Sequence, residues 1–183
     1  MVRLALIDRD GVLNVNLAQS VRHPDELAMI PGAAAAVARL NRAGWLTALV
    51  SNQAVVGRGV IDAAMLERIQ AKLRAALDEA GARLDAEFLC TDLPDSGSTR
   101  RKPAPGMLLE ALARFGATPA ATPMIGDALS DLEAAKAAGC ARMLVLTGHG
   151  AAAAACLPAS LAPVAIHRDL GEAVDALLIG STP

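Results

Sequence analysis

The chain alternates short apolar runs with longer segments in which apolar positions recur at helical spacing. The first run, Leu4-Ala5-Leu6-Ile7, is rich in branched residues and is typical of a strand buried on both faces. Further strands are predicted at residues 45–50, 86–91, 123–125 and 141–146, with a weaker one at 164–166. Helices are predicted at residues 32–43, 62–80 and 107–115, around residue 131 as far as 139, after residue 150, and from 169 to 179. This alternation implies an α/β fold, with a parallel sheet between two layers of helices.

The clearest helix signal lies at residues 62–80. Asp62 is the expected N-cap, and Gly81 follows the last periodic residue. Four apolar residues recur at every fourth position along one face, namely Met65, Ile69, Leu73 and Leu77. We interpret this stripe as core.

Composition and charge exclude several classes of partner and location. The formal net charge is −2, which argues against nucleic acid or an acidic membrane as the main partner. No apolar run approaches the roughly 18 residues of a membrane helix, and the first apolar run leads straight into charged residues, unlike a signal peptide. The cysteines, Cys90, Cys140 and Cys156, show no disulfide pattern and fit a reducing cytoplasm. We expect a cytoplasmic, monomeric protein with a small-molecule substrate and one domain over residues 1–183.

Polar side chains with related chemistry follow four of the predicted strands. Asp8 and Asp10 come directly after the first strand and, with a period of two, point to the same side. The later candidates are Ser51, Asn52, Lys102, Asp127 and Asp131. The carboxyl ends of strands form the ligand-binding edge of open α/β sheets, and this set of groups suits a hard cation together with a phosphoryl group. The alternative for Asp8 and Asp10 alone is an ordinary solvated strand end.

The glycine pattern argues against a nucleotide cofactor. No Gly-x-Gly-x-x-Gly follows the first strand, and no Walker-type phosphate loop is present. Gly11 instead allows a turn with positive φ, or a close approach of the main chain to a ligand, directly after the two aspartates. The long stretch Val12 to Pro31 follows it, and connections of that length are usually functional or disordered. His23 lies in this stretch and is a weak candidate for substrate contact.

Four motifs in order resemble those of the haloacid dehalogenase superfamily of phosphatases. They are Asp8-Arg9-Asp10-Gly11, Ser51-Asn52, Lys102-Pro103, and Gly126-Asp127 with Asp131. Within the superfamily the chain resembles the histidinol-phosphate and heptose-bisphosphate phosphatases, through Asp8 to Asn14, Ser51-Asn52-Gln53, and Arg101 to Met107. The resemblance implies a three-layer, Rossmann-like fold that is essentially capless.

The resemblance also implies a mechanism. Asp8 would attack phosphorus and form an aspartyl-phosphate, while Asp10 would protonate the leaving oxygen and later accept a proton from water. Mg²⁺ would be held by Asp8, the carbonyl of Asp10 and Asp127. Ser51 and Lys102 would bind the phosphoryl oxygens. For Asp131 two interpretations stay open: it holds a metal-bound water or Lys102, or it is a helix N-terminal carboxylate favoured by the dipole.

One loop departs from the family pattern. Many relatives bind structural zinc before the Arg-Lys-Pro motif through a Cys-x-His…Cys-x-Cys set. Here the corresponding residues are Cys90, Asp92, Ser98 and Arg100. Because structural zinc requires a closed tetrahedral set of ligands, we expect no zinc, and a loop from Asp92 to Arg100 that is either ordered by hydrogen bonds and packing or mobile.

The substrate is the least determined part of the prediction. Arg101 is placed for a bidentate contact with a second anionic group, and Asn52 and Arg58 are further candidates for substrate binding, with Arg100 as a possible helper. The leading expectation is a phosphatase acting on a heptose 1,7-bisphosphate. The alternatives are a histidinol-phosphate phosphatase and a non-catalytic binding protein of the same fold.

Overall fold

The computed structural model describes residues 2–180, and its centre is a six-stranded parallel sheet. The strands are β1 (Leu4–Ile7), β2 (Leu46–Asn52), β3 (Ala86–Cys90), β4 (Pro123–Gly126), β5 (Ala141–Val145) and β6 (Ala165–His167). Their order across the sheet is β3-β2-β1-β4-β5-β6. The predicted α/β class with a parallel sheet is confirmed.

Seven α-helices occupy the described part of the chain. They are α1 (Ala33–Arg42), α2 (Ala54–Gly57), α3 (Ala63–Glu79), α4 (Gly106–Phe115), α5 (Leu129–Ala138), α6 (Gly150–Ala155) and α7 (Leu170–Ile179). The four-residue helix α2 is absent from the prediction because one turn is too short to show a period. None of the described helices is long and apolar enough to cross a membrane.

Both faces of the sheet are buried, as the first apolar run indicates. Ala5 and Ile7 belong to a core that includes residues from α1, α3 and α7, whereas Leu4 and Leu6 belong to a core that includes residues from α4 and α5. All four side chains are completely buried. Because alternate residues of a strand face opposite sides, the continuous apolar run of β1 serves two cores at once.

The strand order reverses its direction between β1 and β4. From β1 the chain moves outward to β2 and β3, and it then crosses to the other side of β1 to begin β4. Ile7 pairs with Ile125, and the amide of Asp8 donates to the Ile125 carbonyl at 3.0 Å. The residues after these two strands therefore meet at the reversal point, where a crevice forms in folds of this kind.

Helix α3 confirms the predicted capping and most of the predicted stripe. The Asp62 carboxylate accepts the amide of Met65 at 2.7 Å. Ile69, Leu73 and Leu77 are buried, while Met65 is partly buried. A polar residue, Gln70, is also completely buried beside this stripe, and its partners lie outside the helix.

The long stretch after β1 is folded. Its backbone pairs with itself, since the Val15 amide donates to Ala28 at 2.8 Å and the Ile30 amide to Leu13 at 2.9 Å. A short 3₁₀ helix, Pro24–Glu26, begins after His23, whose imidazole accepts the Asp25 amide at 3.3 Å. This self-pairing and the buried apolar residues of the stretch hold it against the carboxyl edge of the sheet.

Candidate active site

Four charged side chains meet at the carboxyl edge, and we call them the catalytic cluster: Asp8, Lys102, Asp127 and Asp131. The ammonium of Lys102 lies 3.0 Å from Oδ1 of Asp8 and 2.6 Å from Oδ1 of Asp131, and it donates to the Val50 carbonyl at 2.7 Å. Burial alone would lower the pKa of Lys102, but the carboxylates of Asp131 and Asp8 outweigh it and hold that pKa above its ordinary value. Lys102 is therefore a fixed, buried cation at the end of β1.

The main chain of Lys102 is held from β2. Asn52, the last residue of that strand, accepts the Lys102 amide at 3.1 Å and donates from Nδ2 to the Lys102 carbonyl at 2.9 Å. These two bonds engage both ends of its amide group. The prediction that Asn52 binds substrate stays a prediction. The two hydrogen bonds show that Asn52 holds the main chain of Lys102 in place.

Asp131 is engaged on both of its oxygens. Oδ1 contacts Lys102, and Oδ2 accepts the Ala128 amide at 3.0 Å at the start of α5. The two interpretations left open for this residue thus describe parts of one arrangement, since the same carboxylate contacts the lysine and caps its own helix.

The carboxylates of the cluster are close enough to share a cation. Asp8, Asp127 and Asp131 each offer an oxygen, and these oxygens all lie within 4.8 Å of one another. Burial, together with the neighbouring carboxylates, raises the pKa of Asp8 to about 6, and burial and the charge of Asp8 raise the pKa of Asp127 to about 7. Crowded, desolvated carboxylate oxygens of this kind are the donors that Mg²⁺ prefers, so the residues present fit a magnesium ion.

Asp127 sits in a cradle made by two distant loops. Its Oδ2 accepts the amide of His149 at 2.7 Å. Gly11 and Gly148 both have positive φ, +85° and +56°, and a β-carbon at either position would collide with the Asp127 carboxylate. The Thr147 hydroxyl donates to the Gly11 carbonyl at 2.6 Å and ties the two loops together. The sequence motif Thr147-Gly148-His149 thus belongs to the site, although its residues carry no individual chemical signal.

The carboxylate of Asp10 is held by three side chains that the sequence analysis does not single out. Arg9 approaches it with Nη2 at 3.0 and 3.1 Å, Asn14 donates from Nδ2 at 2.9 Å, and Gln53 donates from Nε2 at 2.8 Å. Gln53 also donates to the buried hydroxyl of Ser51 at 3.0 Å. Ser51 is therefore joined to Asp10 through one amide group. All three lie inside the stretches that carry the family resemblance, Asp8 to Asn14 and Ser51-Asn52-Gln53, and that membership is the signal that could have drawn attention to them.

Comparisons with known proteins agree with this geometry. A HAD-hydrolase-like family model matches residues 99–173. A D-glycero-beta-D-manno-heptose-1,7-bisphosphate 7-phosphatase of Bordetella bronchiseptica is 43% identical over 149 residues, which are 81% of this chain and 83% of that protein. A phosphatase of the same name from Pseudomonas aeruginosa is 40% identical over 147 residues, 80% of this chain and 83% of that protein. The chain belongs to the heptose-bisphosphate phosphatase family of the haloacid dehalogenase superfamily.

A solved structure of a family member extends the likeness to the whole fold. The D,D-heptose 1,7-bisphosphate phosphatase from B. bronchiseptica, complexed with magnesium and phosphate, superposes with a TM-score of 0.94 at 39% identity. The match covers 98% of this chain and 99% of the other. The essentially capless, three-layer architecture is therefore shared with a magnesium- and phosphate-binding member of the family.

The family's zinc-loop positions form a hydrogen-bonded cluster here. We call residues 92–101 the outer loop. The thiol of Cys90, at the end of β3, donates to Asp92 at 3.4 Å, and the hydroxyl of Ser98 accepts the amides of Arg100 and Arg101, each at 3.2 Å. Hydrogen bonds from Ser98 and Cys90 lower the pKa of Asp92. Of the two predictions for this loop, order by hydrogen bonding is the one that the described contacts support, while the absence of zinc stays a prediction.

The arginines around the outer loop differ in what they contact. Arg100 binds Glu110 of α4 through Nε at 2.7 Å and Nη2 at 3.0 Å, and it also donates to the Leu89 carbonyl at 3.1 Å. Arg101 donates from Nη1 to the Asp92 carbonyl at 3.1 Å and lines a cleft of about 310 Å³ together with Lys102. Arg58 is exposed just past the end of α2. Of the three, Arg101 is the one that lines a cleft together with Lys102.

Proposed function

We propose that this chain is a Mg²⁺-dependent phosphatase that removes the 7-phosphate of D-glycero-D-manno-heptose 1,7-bisphosphate through an aspartyl-phosphate. The observation that carries the proposal is the convergence of Asp8 with Lys102 and Asp127 at the carboxyl edge of the sheet. The names of the relatives support the substrate, and the magnesium and phosphate of the B. bronchiseptica enzyme support the chemistry.

Asp8 is the nucleophile in this proposal. Its Oδ1 contacts the Lys102 ammonium at 3.0 Å and accepts the Arg9 amide at 2.7 Å, so the carboxylate has a fixed orientation before substrate arrives. Attack forms a bond between the carboxylate oxygen and phosphorus as the bond to the sugar oxygen breaks. Lys102 and the Ser51 hydroxyl bind the phosphoryl oxygens, where charge is spread in the transition state.

Asp10 moves the protons. In the first half of the reaction its proton passes to the leaving sugar oxygen, which departs as an alcohol. In the second half Asp10 accepts a proton from the water that attacks phosphorus, and inorganic phosphate and free Asp8 are released. Asp8, Asp127 and the carbonyl of Asp10 would hold Mg²⁺, which offsets the repulsion between the anionic nucleophile and the anionic phosphate.

The second phosphate of the substrate needs a cation outside the catalytic cluster. Arg101 is our candidate because it lines the same cleft as Lys102, and the N–H donors of a guanidinium match the oxygens of a phosphate. Arg100 is tied to Glu110 and is a weaker candidate. The free cysteines fit a reducing compartment, and we propose a cytoplasmic enzyme that acts as a monomer.

A phosphate-release assay on three substrates tests the proposal. The heptose 1,7-bisphosphate, histidinol phosphate and p-nitrophenyl phosphate are compared with Mg²⁺, with a chelator, and after Mg²⁺ is restored. The expected result is Mg²⁺-dependent release that is fastest for the bisphosphate, with the 1-phosphate left on the sugar. Faster turnover of histidinol phosphate would overturn the substrate and leave the chemistry standing, whereas no release from any substrate would favour the binding-protein alternative.

A further inference from the structure

Arg9 lies between the two aspartates of the first motif, and its side chain is completely buried. Its guanidinium contacts both oxygens of the Asp10 carboxylate, with Nη2 at 3.1 Å from Oδ1 and 3.0 Å from Oδ2, and Nε at 3.4 Å from Oδ1. The remaining terminal nitrogen, Nη1, donates to Oε1 of Gln70 at 2.8 Å. One planar group thus joins the proposed acid-base residue to helix α3.

Gln70 is itself fixed by a charged partner. Its Nε2 donates to Oε2 of Glu87 on β3 at 3.0 Å, and Oε1 of Glu87 accepts from Arg74 at 3.0 Å. Gln70 is completely buried on the apolar side of α3, and that placement costs free energy unless its polar atoms are bonded. The amide is therefore oriented, with its oxygen toward Arg9 and its nitrogen toward Glu87.

This arrangement resists rotation of the Asp10 carboxylate. Among the described residues Asp10 is the carboxylate that pairs with Arg9, so a turn of Asp10 toward solvent would leave a buried cation without its counter-charge. The amides of Asn14 and Gln53 approach the same carboxylate from other elements. About 20% of the Asp10 side chain remains exposed, whereas the Arg9 side chain is completely buried.

We propose that Arg9, itself held by Gln70, is the positioning residue that fixes the orientation of the Asp10 side chain, whose carboxyl form gives its proton to the leaving oxygen and whose carboxylate form takes one from the attacking water. This rests on the proposed function, in which Asp10 is the acid. Proton transfer needs the two heavy atoms within about 2.6–3.2 Å of each other, so a side chain that is confined to one orientation spends less time in unproductive ones. A buried ion pair of this kind is weak support for stability alone, since apolar replacements are often as stable.

The proposal makes a prediction about leaving groups. A sugar alkoxide leaves poorly and needs the proton from Asp10, whereas p-nitrophenolate leaves readily without it. Because kcat/KM reports the steps up to formation of the aspartyl-phosphate, misplacing Asp10 should lower kcat/KM for the bisphosphate and spare that for p-nitrophenyl phosphate. The later attack of water still needs Asp10 as base, so p-nitrophenolate should be released in a burst followed by a slow steady state.

The test compares Arg9→Met, Arg9→Lys and Gln70→Met with Arg39→Met. Arg39 is a matched control because it also binds one aspartate, Asp175, and one oxygen, the Gly171 carbonyl, at the α1–α7 contact away from the site. Arg9→Met should lower kcat/KM for the bisphosphate about 100-fold, at the low end of what general acid catalysis contributes, with a change under about threefold for p-nitrophenyl phosphate. Arg9→Lys and Gln70→Met should also lower kcat/KM more for the bisphosphate than for p-nitrophenyl phosphate, but by a smaller factor. Arg39→Met should show no such difference between the substrates.

The results distinguish a failure of the positioning role of Arg9 from a failure of the proposed function. Equal losses on both substrates, or no loss, for folded Arg9 variants would overturn the positioning role. If circular dichroism shows that Arg9→Met does not fold, the selectivity of Gln70→Met and Arg9→Lys decides in its place, and its absence there overturns the role. A wild-type protein that releases phosphate from neither substrate would instead refute the proposed function.

Discussion

The catalytic cluster and the outer loop form two sides of the same site and are built in opposite ways. Asp8 and Asp127 follow β1 and β4, and the buried ammonium of Lys102 lies beside Asp8. Charges of both signs are crowded there, and the pKa values of Asp8 and Asp127 are raised to about 6 and about 7. The outer loop is largely exposed: the Ser98 hydroxyl accepts two of its main-chain amides, and the Cys90 thiol donates to the Asp92 carboxylate.

Under the proposed function, this difference divides the site into a buried cluster that performs the chemistry and an exposed loop that selects the substrate. Burial strengthens the electrostatic interactions of the cluster, because the surrounding protein screens charge far less than water does. Replacing one of these charged residues would leave its buried partner without a counter-charge. The outer loop contributes Arg101 through contacts that other residue types could replace. The contrast agrees with the sequence, in which the four motifs of the resemblance are present and three of the four zinc-loop positions hold other residues.

The largest expected effect comes from removing Asp8, the proposed nucleophile. Asp8→Asn keeps the shape of the side chain and abolishes the attacking charge, so kcat should fall at least about a thousand-fold. Stability should be kept, because a buried carboxylate with a raised pKa carries an unfavourable charge in the metal-free protein. Steady-state kinetics and thermal unfolding measure the two effects. Asp92→Asn in the outer loop is the control, and a retained activity above about one tenth for Asp8→Asn would contradict the covalent mechanism.

Magnesium should stabilise the cluster in a pH-dependent way. The pKa values of Asp8 and Asp127 in the folded, metal-free protein are raised from 3.8 to about 6 and about 7. The stability that protonation contributes is therefore complete below about pH 3.8 and is lost as the pH rises through 6 to 7. Mg²⁺ replaces these protons, so it should raise Tm more at pH 8 than at pH 5.

The size of this effect follows from mass action. At a free Mg²⁺ concentration of 100 times Kd the stabilisation is about 2.7 kcal/mol, or roughly 5–10 °C for a chain of this size. Thermal unfolding with and without Mg²⁺ at the two pH values measures it. Asp127→Asn should reduce the shift strongly, and an equal shift at both pH values would show that Mg²⁺ binds elsewhere.

Loss of Arg101 should affect one class of substrate. A desolvated, charge-assisted pair with the second phosphate is worth about 1.5–3 kcal/mol, so Arg101→Ala should lower kcat/KM for the bisphosphate roughly ten- to a hundred-fold. The value for p-nitrophenyl phosphate, which has no second phosphate, should change much less. The neighbouring variant Arg100→Ala should change both substrates alike, because Arg100 binds Glu110. Equal losses for Arg101→Ala would assign it to the transferred phosphate or to the scaffold.

Ser98 should have a moderate effect on the outer loop. Its hydroxyl accepts two consecutive amides, and Ser98→Ala leaves both without that partner, at a cost of about 1–2 kcal/mol. Thermal unfolding should show a fall of a few degrees, with a rise in KM for the bisphosphate larger than the change in kcat. Ser96→Ala, which removes one bond to the Leu93 carbonyl in the same loop, is the control. A variant with unchanged KM would separate loop order from substrate binding.

The smallest expected effect concerns zinc. Elemental analysis of the purified protein should find far less than one zinc per chain, since one thiolate and one carboxylate do not make a closed tetrahedral site. A chelator should abolish activity by removing Mg²⁺ and leave the far-ultraviolet circular dichroism unchanged. Stoichiometric zinc, or unfolding on chelation, would contradict this interpretation of the outer loop.

The sequence by itself determined that Asp8 and Asp127 follow the carboxyl ends of two buried strands. The apolar run before Asp8 and that before Asp127 each predict a buried strand, and parallel strands bring their carboxyl ends to one edge whatever the details of packing. The order of the motifs then indicated the family. These inferences depend on local periodicity and on topology, and both can be read directly from a linear chain.

Only the tertiary structure decided how that cluster is held. Gln70 lies 61 positions from Arg9 in the chain, and His149 lies 22 positions from Asp127, yet each pair shares a hydrogen bond. Asn52 likewise reaches across 50 positions to the main chain of Lys102. Contacts of this kind depend on the distance between packed elements and on the direction of single side chains. No pattern within one segment encodes that geometry, and so the residues that orient the catalytic groups appear only in the folded molecule.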